Sequence, residues 1–306
     1  MISDAKLREH LADAWGLAQP TIEAHHGGMN SATWFVSQSG TRWVAKAVVP
    51  AARHSFAAGL ALACALEHAG IPAGAPAATR HGTFVVDVDT IPLAFPLALL
   101  TWVPGRELSA TDPQDQQLIG TTLARVHRAL LDVPVPHPER FPWLDPHSEH
   151  LAIRPWLRGA IAAAVEAYDH LAPETLTWGP LHTDPAPEAF RLNSISGACG
   201  LIDWPTAMTG PLLYDLASAV MYAGGPHHAQ ALIDAYLNHG PIPRPEAHRA
   251  LLVMLHLRWA VQADYFARRI TTNDLTGIDT PADNEKGLAD AQTWLIPLAG
   301  GGLPRP

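Results

Sequence analysis

The stretch LHTDPAPEAFRLN, residues 181–193, decides the fold when it is read together with CGLIDW, residues 199–204. In the first, His182 and Asp184 sit among prolines and small residues, the composition of an irregular loop. The second is a short apolar run with a strand pattern, and it closes on Asp203. Each aspartate alone has an ordinary explanation: Asp184 can cap a turn and Asp203 can end a strand. Together they suggest more. A carboxylate at a strand end is a hard oxygen donor that suits Mg²⁺ and leaves coordination sites for phosphate and water.

Upstream, the pattern is rich in strands. Residues 4–16 read as a short amphipathic helix. TWFVS and RWVAKAVV are β-branched and aromatic, with the turn QSGT between them, so residues 22–49 read as three strands and two turns. The turn HHGGMNS carries Gly27, Gly28 and Ser31 and can offer backbone N–H groups to phosphates, although a plain hairpin turn explains it as well. Lys46 is a lone lysine in the apolar strand WVAKAV. It either points to solvent, because strand faces alternate, or points under the sheet at an anionic ligand. HSFAAGLALACALEHAG reads as a helix closed by Gly70 and Pro72. TFVVDV and LAFPLALLTWV read as further strands, the second interrupted at Pro96. These are hairpins plus one helix, an α+β pattern and not repeated βαβ units.

Downstream the character becomes helical. QQLIGTTLARVHRALL places Ile119, Leu123, Val126 and Leu130 on one face. RPWLRGAIAAAVEAYDHL is helical, and after the loop and strand of residues 181–204 the chain is helical again from LLYDLASAVMYAG to ALLVMLHLRWAVQADYFARRI. The expected division is a sheet-rich lobe over 1–103 and a larger helical lobe over 104–306.

Bulk properties narrow the class. The chain has 306 residues, 48% of them hydrophobic and 16% charged, enough for a real core. Its net charge of −9 argues against nucleic acid as a partner. The two cysteines, Cys64 and Cys199, lie far apart in apolar surroundings and read as reduced. The first residues do not read as a signal peptide, and IPLAFPLALLTWV is too short to span a bilayer, so a cytoplasmic protein with no membrane partner is expected. His25–His26 and His227–His228 lack companions at zinc spacing and read as surface or loop residues.

The order of glycine turn, strand lysine, helix, connector, helix, H-x-D loop and strand-end aspartate resembles the protein-kinase-like fold. Within it, the chain resembles the aminoglycoside phosphotransferase family of small-molecule kinases. LHTDPAPEAF is similar to that family's catalytic loop, H-G-D-x-x-x-x-N. GLIDWPTAMTGPLLYDLA is similar to its metal segment, and LARVH fits the helix before the loop. The resemblance implies a bilobal fold with an antiparallel-sheet N-lobe and a mostly helical C-lobe. It also implies phosphoryl transfer from ATP or GTP, with Mg²⁺, to a hydroxyl of a small acceptor such as an aminoglycoside-like antibiotic. Lys46 would hold phosphates together with the turn of Gly27, Gly28 and Ser31. The backbone at Thr101 and Val103 would meet the base. Asp184 would take or orient the acceptor's proton, and Asp203 would bind the metal. Asp215 and His182 would brace the loop, and Gln262, Asp264 and Tyr265 are candidates for the acceptor pocket. The expected assembly is a monomer or a homodimer.

Three positions depart from the family pattern. The metal-binding asparagine falls on Ala189, so Glu188 or Asn193 would have to substitute. Thr183 replaces the glycine after the histidine. The helix of residues 54–69 lacks an early glutamate to pair with Lys46, and Glu67 is its only acid. These departures sustain a rival expectation, a kinase-like protein that binds nucleotide without transferring phosphate. A kinase of protein substrates is disfavoured, because only WPTAMTGPLL separates Asp203 from the next helix.

Overall fold

The computed structural model describes residues 2–25, 28–29, 31–90, 93–135, 141–204 and 207–299. Helix α1 spans Asp4–Trp15, with the Ser3 side chain accepting from the Lys6 N–H at its start and Gly16 in the left-handed conformation at its end. It covers one face of an antiparallel sheet built from β1 (Thr21–His25), β2 (Ala32–Gln38), β3 (Thr41–Ala47), β4 (Val86–Asp89) and β5 (Ala94–Thr101). The spatial order is β1-β2-β3-β5-β4. Leu7 and Leu11 of α1 pack with Trp34, Val36, Ala45, Ala47, Leu97 and Leu99. The opposite face gives Val48 and Ala98 to Phe56 and Leu60 of α2 (Arg53–His68).

That alternation decides where the lysine points. Lys46 lies opposite Thr33 on β2 and Ala98 on β5, so it shares the α2 side with Ala98. It is 8% exposed and does not face solvent. Its strand pairs antiparallel with both neighbours, β2 and β5, as the hairpin reading requires. Pro96 does not interrupt its strand. β5 runs through it, because a proline lacks only the N–H; Pro96 still pairs with Asp87, and its carbonyl accepts from Val48 at 3.0 Å.

The C-terminal region contains β6 (Arg106–Glu107), α3 (Pro113–Leu130), α4 (Leu157–Asp169), β7 (Trp178–Leu181), β8 (Phe190–Leu192), β9 (Cys199–Leu201), β10 (Met208–Pro211), α5 (Leu213–Tyr222), α6 (Gln230–His239), α7 (Arg244–Thr271) and α8 (Pro281–Ala299). The expected face of α3 is buried at Ile119, Leu123, Val126 and Leu130. Two small antiparallel sheets, β6-β8-β9 and β10-β7, grip the loop of residues 182–189 from both ends. The main core joins these helices, and Leu62 and Leu66 of α2 also enter it. Hence α2 belongs to the packing of both regions. The short strands β7, β8 and β10 and the helix α8 have no counterpart in the sequence reading. Both cysteines are free thiols. Among the described residues no helix is long and apolar enough to cross a membrane.

Candidate active site

The loop after β7 is held by a buried carboxylate. Asp215, in the first turn of α5, is fully buried, and its two oxygens accept from the backbone N–H groups of His182 (2.7 Å) and Thr183 (2.8 Å). His127 at the end of α3 donates from Nε2 to the same carboxylate at 3.2 Å, and its Nδ1 lies 2.6 Å from the Tyr236 hydroxyl. Burial raises the Tyr236 phenol well above its ordinary value, so this hydroxyl stays protonated and can donate. His182 donates from Nε2 to the Ile202 carbonyl at 2.9 Å, which ties the loop to the segment entering Asp203. With Asp215 fixing its peptide, Thr183 is forced to φ +75°, a region a β-branched residue rarely enters. That strain is of order 1–3 kcal/mol and is imposed where a glycine would sit freely.

The next residue, Asp184, points out of the loop with about half of its side chain exposed. Its Oδ1 accepts from the Tyr222 hydroxyl at 2.6 Å and from Arg258 Nη2 at 2.9 Å. Arg258 projects from the middle of α7, is 7% exposed and also donates from Nε to Ser218 at 3.0 Å. Burial opposes the guanidinium's charge, but at the alkaline pH where the arginine would titrate Tyr214, Asp184 and Tyr222 outweigh it and hold its pKa above the ordinary arginine value. Burial, with Asp184 adding to it, pushes the Tyr222 phenol far up. Both donors meet one oxygen, which fixes the orientation of the carboxylate. Neither Arg258 nor Tyr222 was singled out from the sequence. The available signal was an arginine inside LLVMLHLRWAVQA, since an arginine buried in an apolar helix requires a partner.

Asp203 follows β9 by two residues and adopts φ +70°, a left-handed turn that aspartate tolerates. Its carboxylate forms an ion pair with Lys46 Nζ, with Lys46 nearly buried and Asp203 half exposed. Burial works to raise the Asp203 carboxyl, but the Lys46 ammonium overrides it and holds the pKa below the usual value. So Lys46 finds its counter-charge in Asp203 and not in α2. Glu67 instead caps the chain after α2, accepting from the N–H groups of Ala73 (3.0 Å) and Gly74 (3.2 Å). What α2 gives to the site is close contact. An added Cβ on Gly59 would lie 1.6 Å from the Trp204 carbonyl oxygen, so only glycine lets the helix backbone pack on the residue beside Asp203.

Ala189 is buried in the main core, and its carbonyl accepts from Ile202 at 2.9 Å, so its methyl has no route to a ligand. Glu188, one residue earlier, is exposed. Its carboxyl is pushed up by partial burial and then by the charges of Asp184, Glu107 and Asp203. Asn193 is spent on a turn, accepting from Ile195 (2.9 Å) and Ser196 (3.2 Å), which leaves Glu188 as the nearer substitute donor. Among the described residues no three His, Cys, Asp or Glu side chains form a closed metal site. Asp203 and Glu188 are hard oxygen donors open to solvent. They suit an ion that takes one or two carboxylates and completes its shell with phosphate and water.

Of the residues expected to meet nucleotide, Gly28 and Ser31 lie in the β1–β2 turn, with Ser31 Oγ 3.4 Å from Thr33 Oγ1. Gly27 lies outside the described residues. The Thr101 N–H is committed to the Ala75 carbonyl at 2.9 Å, so only the carbonyl of Thr101 remains for a base, together with the backbone of Val103. Trp102 between them is clamped by the Arg42 guanidinium, 3.9 Å from its ring centre, and by the Phe35 edge.

The acceptor-side candidates separate. Tyr265 lies on the α7 face of Arg258; burial raises its phenol, the Arg269 guanidinium opposes the shift, and the charges of Asp274 and Asp184 add to it. Gln262 shares that face, but its amide donates to the Gly287 carbonyl of α8 at 3.1 Å. Asp264 points about 100° away from Tyr265 around the helix. It is buried between His150 (2.7 Å) and Arg268 (3.1 Å), and we read it as a structural ion-pair partner and not as a pocket residue.

The sequence model of a family described as the phosphotransferase enzyme family matches residues 21–251. Among solved structures, a microcompartment-associated aminopropanol kinase superposes with a TM-score of 0.77 at 15% identity, covering 97% of each chain. An amicoumacin kinase in complex with AMP-PNP, Ca²⁺ and Ami gives 0.71 at 14% identity, covering 97% of this chain and 94% of that one. A choline/ethanolamine kinase family protein from Mesorhizobium loti gives 0.66 at 16% identity, covering 96% of this chain and 95% of that one. These likenesses show the bilobal, protein-kinase-like fold expected from the sequence. No curated protein matches the chain significantly.

Proposed function

This chain belongs to the phosphotransferase enzyme family, and we propose that it transfers the γ-phosphoryl group of ATP or GTP to a hydroxyl of a small molecule. The observation that carries the reading is the pairing of Lys46 with Asp203 beside the braced loop that presents Asp184. Phosphoryl transfer asks little covalent chemistry of a protein. It needs an in-line arrangement, cationic groups along the phosphates and a carboxylate near the nucleophile.

The residues divide the work accordingly. Lys46 reaches the phosphates once nucleotide competes with Asp203 for its ammonium. Asp203 and Glu188 would hold Mg²⁺, which offsets charge on the phosphates when bound. The carbonyl of Thr101 and the backbone of Val103 meet the base. Asp184 orients the acceptor hydroxyl and accepts its proton through the oxygen that Arg258 and Tyr222 leave uncovered. Tyr265 lines the acceptor side.

The test is a screen of hydroxylated compounds, amino alcohols, sugars, nucleosides and aminoglycoside-like antibiotics among them. It reads acceptor-dependent release of ADP or GDP, with mass spectrometry of the product for an added phosphate. Titration of nucleotide with and without Mg²⁺ runs beside it. The expected result is metal-dependent binding that Asp203→Ala makes metal-independent, with Glu188→Ala lowering turnover more than nucleotide affinity.

One observation favours a second reading, nucleotide binding without transfer: the core-facing Ala189 where the family carries a metal-binding asparagine. Nucleotide binding that is indifferent to Mg²⁺, with no acceptor yielding product, selects that reading.

A further inference from the structure

Arg269 lies on the α7 face that carries Arg258 and Tyr265, near the end of the helix, with its side chain 4% exposed. A buried guanidinium needs its donors answered. Nε donates to Asn284 Oδ1 of α8 at 2.9 Å, and Nη2 donates to the Thr276 carbonyl at 2.6 Å. Nη1 is shared by Asp274 (3.2 Å), the Tyr265 hydroxyl (3.3 Å) and the Met29 carbonyl (3.3 Å). All but one of these partners belong to the α7–α8 corner. Met29 belongs to the β1–β2 turn of the other lobe, the turn assigned above to phosphates.

A second, independent contact joins the same two turns. Gly277 has φ +72°, and a Cβ placed on it would lie 2.5 Å from the Gly28 carbonyl oxygen and 2.9 Å from the Met29 nitrogen. Backbone therefore meets backbone at this point. Asn284 stiffens the corner by donating from Nδ2 to the Asp274 carbonyl at 2.9 Å.

We propose that Arg269 and Gly277 are positioning residues that latch the phosphate-side turn of the sheet lobe onto the α7–α8 corner, pre-organising it for the nucleotide. The latch deepens the phosphotransferase reading and rests on it. A turn whose N–H groups must converge on phosphates loses affinity when its ordering has to be supplied at binding. Fixing Gly28 and Met29 from the opposite lobe removes part of that loss. Because Arg269 also holds Tyr265, the same guanidinium links the phosphate side to the acceptor side.

The experiment titrates AMP-PNP with Mg²⁺, and separately adenosine, into wild type, Arg269→Lys, Arg269→Ala and Gly277→Ala. The guanine pair replaces the adenine pair if wild type prefers it. Adenosine meets the connector but carries no phosphate, so it is blind to the latch. Arg269→Ala and Gly277→Ala are expected to weaken AMP-PNP by roughly tenfold, the size of one charge-assisted contact. Adenosine affinity should stay at the wild-type value, and Arg269→Lys should fall between. Gly277 is solvent-exposed, so its variant opens the contact while leaving the Arg269 side chain in place, and thermal melting verifies that it folds. Unchanged AMP-PNP affinity in both variants, or equal weakening of both ligands, overturns the latch alone. Wild type that binds neither nucleotide nor nucleoside overturns the proposed function, and the latch with it.

Discussion

Replacing Asp184 by asparagine should destabilise the unliganded protein, whatever it does to catalysis. Arg258 has a side chain only 8% exposed, and Asp184 is its one carboxylate partner among the described residues. Burial keeps the neighbouring Tyr214 and Tyr222 protonated, so neither supplies negative charge. Asparagine still offers an oxygen to Tyr222 and Arg258, so the substitution removes charge and little else. Stranding one member of a fully buried ion pair costs about 3–5 kcal/mol. A fully exposed pair is worth about 0.2–1 kcal/mol. Here the cation is buried and the anion is half in water, which sets the expectation at about 1.5–2.5 kcal/mol. Urea unfolding, followed by tryptophan fluorescence and circular dichroism, measures it. Arg258→Met completes a double-mutant cycle. With the guanidinium gone, Asp184→Asn should cost little further, giving a coupling of about 1.5 kcal/mol. The double variant stays inactive if Asp184 is the base, which separates stability from chemistry. An Asp184→Asn protein as stable as wild type, or strictly additive single costs, refutes the reasoning.

In steady-state assays with an identified acceptor, Asp184→Asn should lower turnover by about 10²–10⁴-fold, the range for removal of a general base. Gly59→Ala would stabilise an ordinary helix interior by roughly 1 kcal/mol, but here the methyl meets the Trp204 carbonyl. Urea unfolding should instead show a loss of about 2–3 kcal/mol, with weaker Mg²⁺-dependent nucleotide binding. Thr183→Gly should be more stable than Thr183→Ala by about 1 kcal/mol, because φ +75° costs alanine and not glycine. Asp115 accepts from both terminal nitrogens of Arg106, and these hydrogen bonds, opposed by burial, hold its carboxyl below the ordinary range. A depressed folded pKa stabilises the protein above the unfolded value near 4 and loses that contribution as pH falls through the folded value. Asp115→Asn should therefore flatten the acid limb of the stability–pH curve without changing its neutral-to-alkaline limb.

Much of the architecture was legible because it depends on local pattern. Alternation and turn residues marked the hairpins, 3.6-residue spacing marked α3, and the two loop aspartates stood out against apolar strands. What escaped depends on tertiary distance. Lys46 and Asp203 are 157 positions apart and Asp184 and Arg258 are 74 apart, and no short-range period encodes either pair. The role of Glu67 was hidden because capping Ala73 and Gly74 requires the chain to turn back after α2. The end of the sequence carries α8 on PADNEKGLADAQTWLIPLA, whose polar first half conceals the residues that meet α7. Asp264 shows the same limit from the other side: its position on α7 was readable, but its ion pairs with His150 and Arg268 were not.

The charges around the loop bear on whether this site transfers phosphate or merely binds. Asp184, Asp203 and Glu188 lie near enough for the two aspartates to raise the Glu188 carboxyl. A fold selected by stability alone gains nothing from gathering like charges. Their mutual repulsion, together with the left-handed backbone at Thr183 and Asp203, is a cost that the rest of the structure carries. The supports are matched to it: Asp215 fixes the loop peptides, Arg258 and Tyr222 fix the Asp184 carboxylate, and Gly59 seats the helix on Trp204. A nucleotide-binding protein needs the cations that meet phosphate, and Lys46 supplies one. An aspartate oriented by both a buried arginine and a tyrosine goes beyond that need, although the same ion pair also steadies the fold. We read the fixed direction in which Asp184 presents its free oxygen as suited to an acceptor hydroxyl, which transfer requires and binding alone does not.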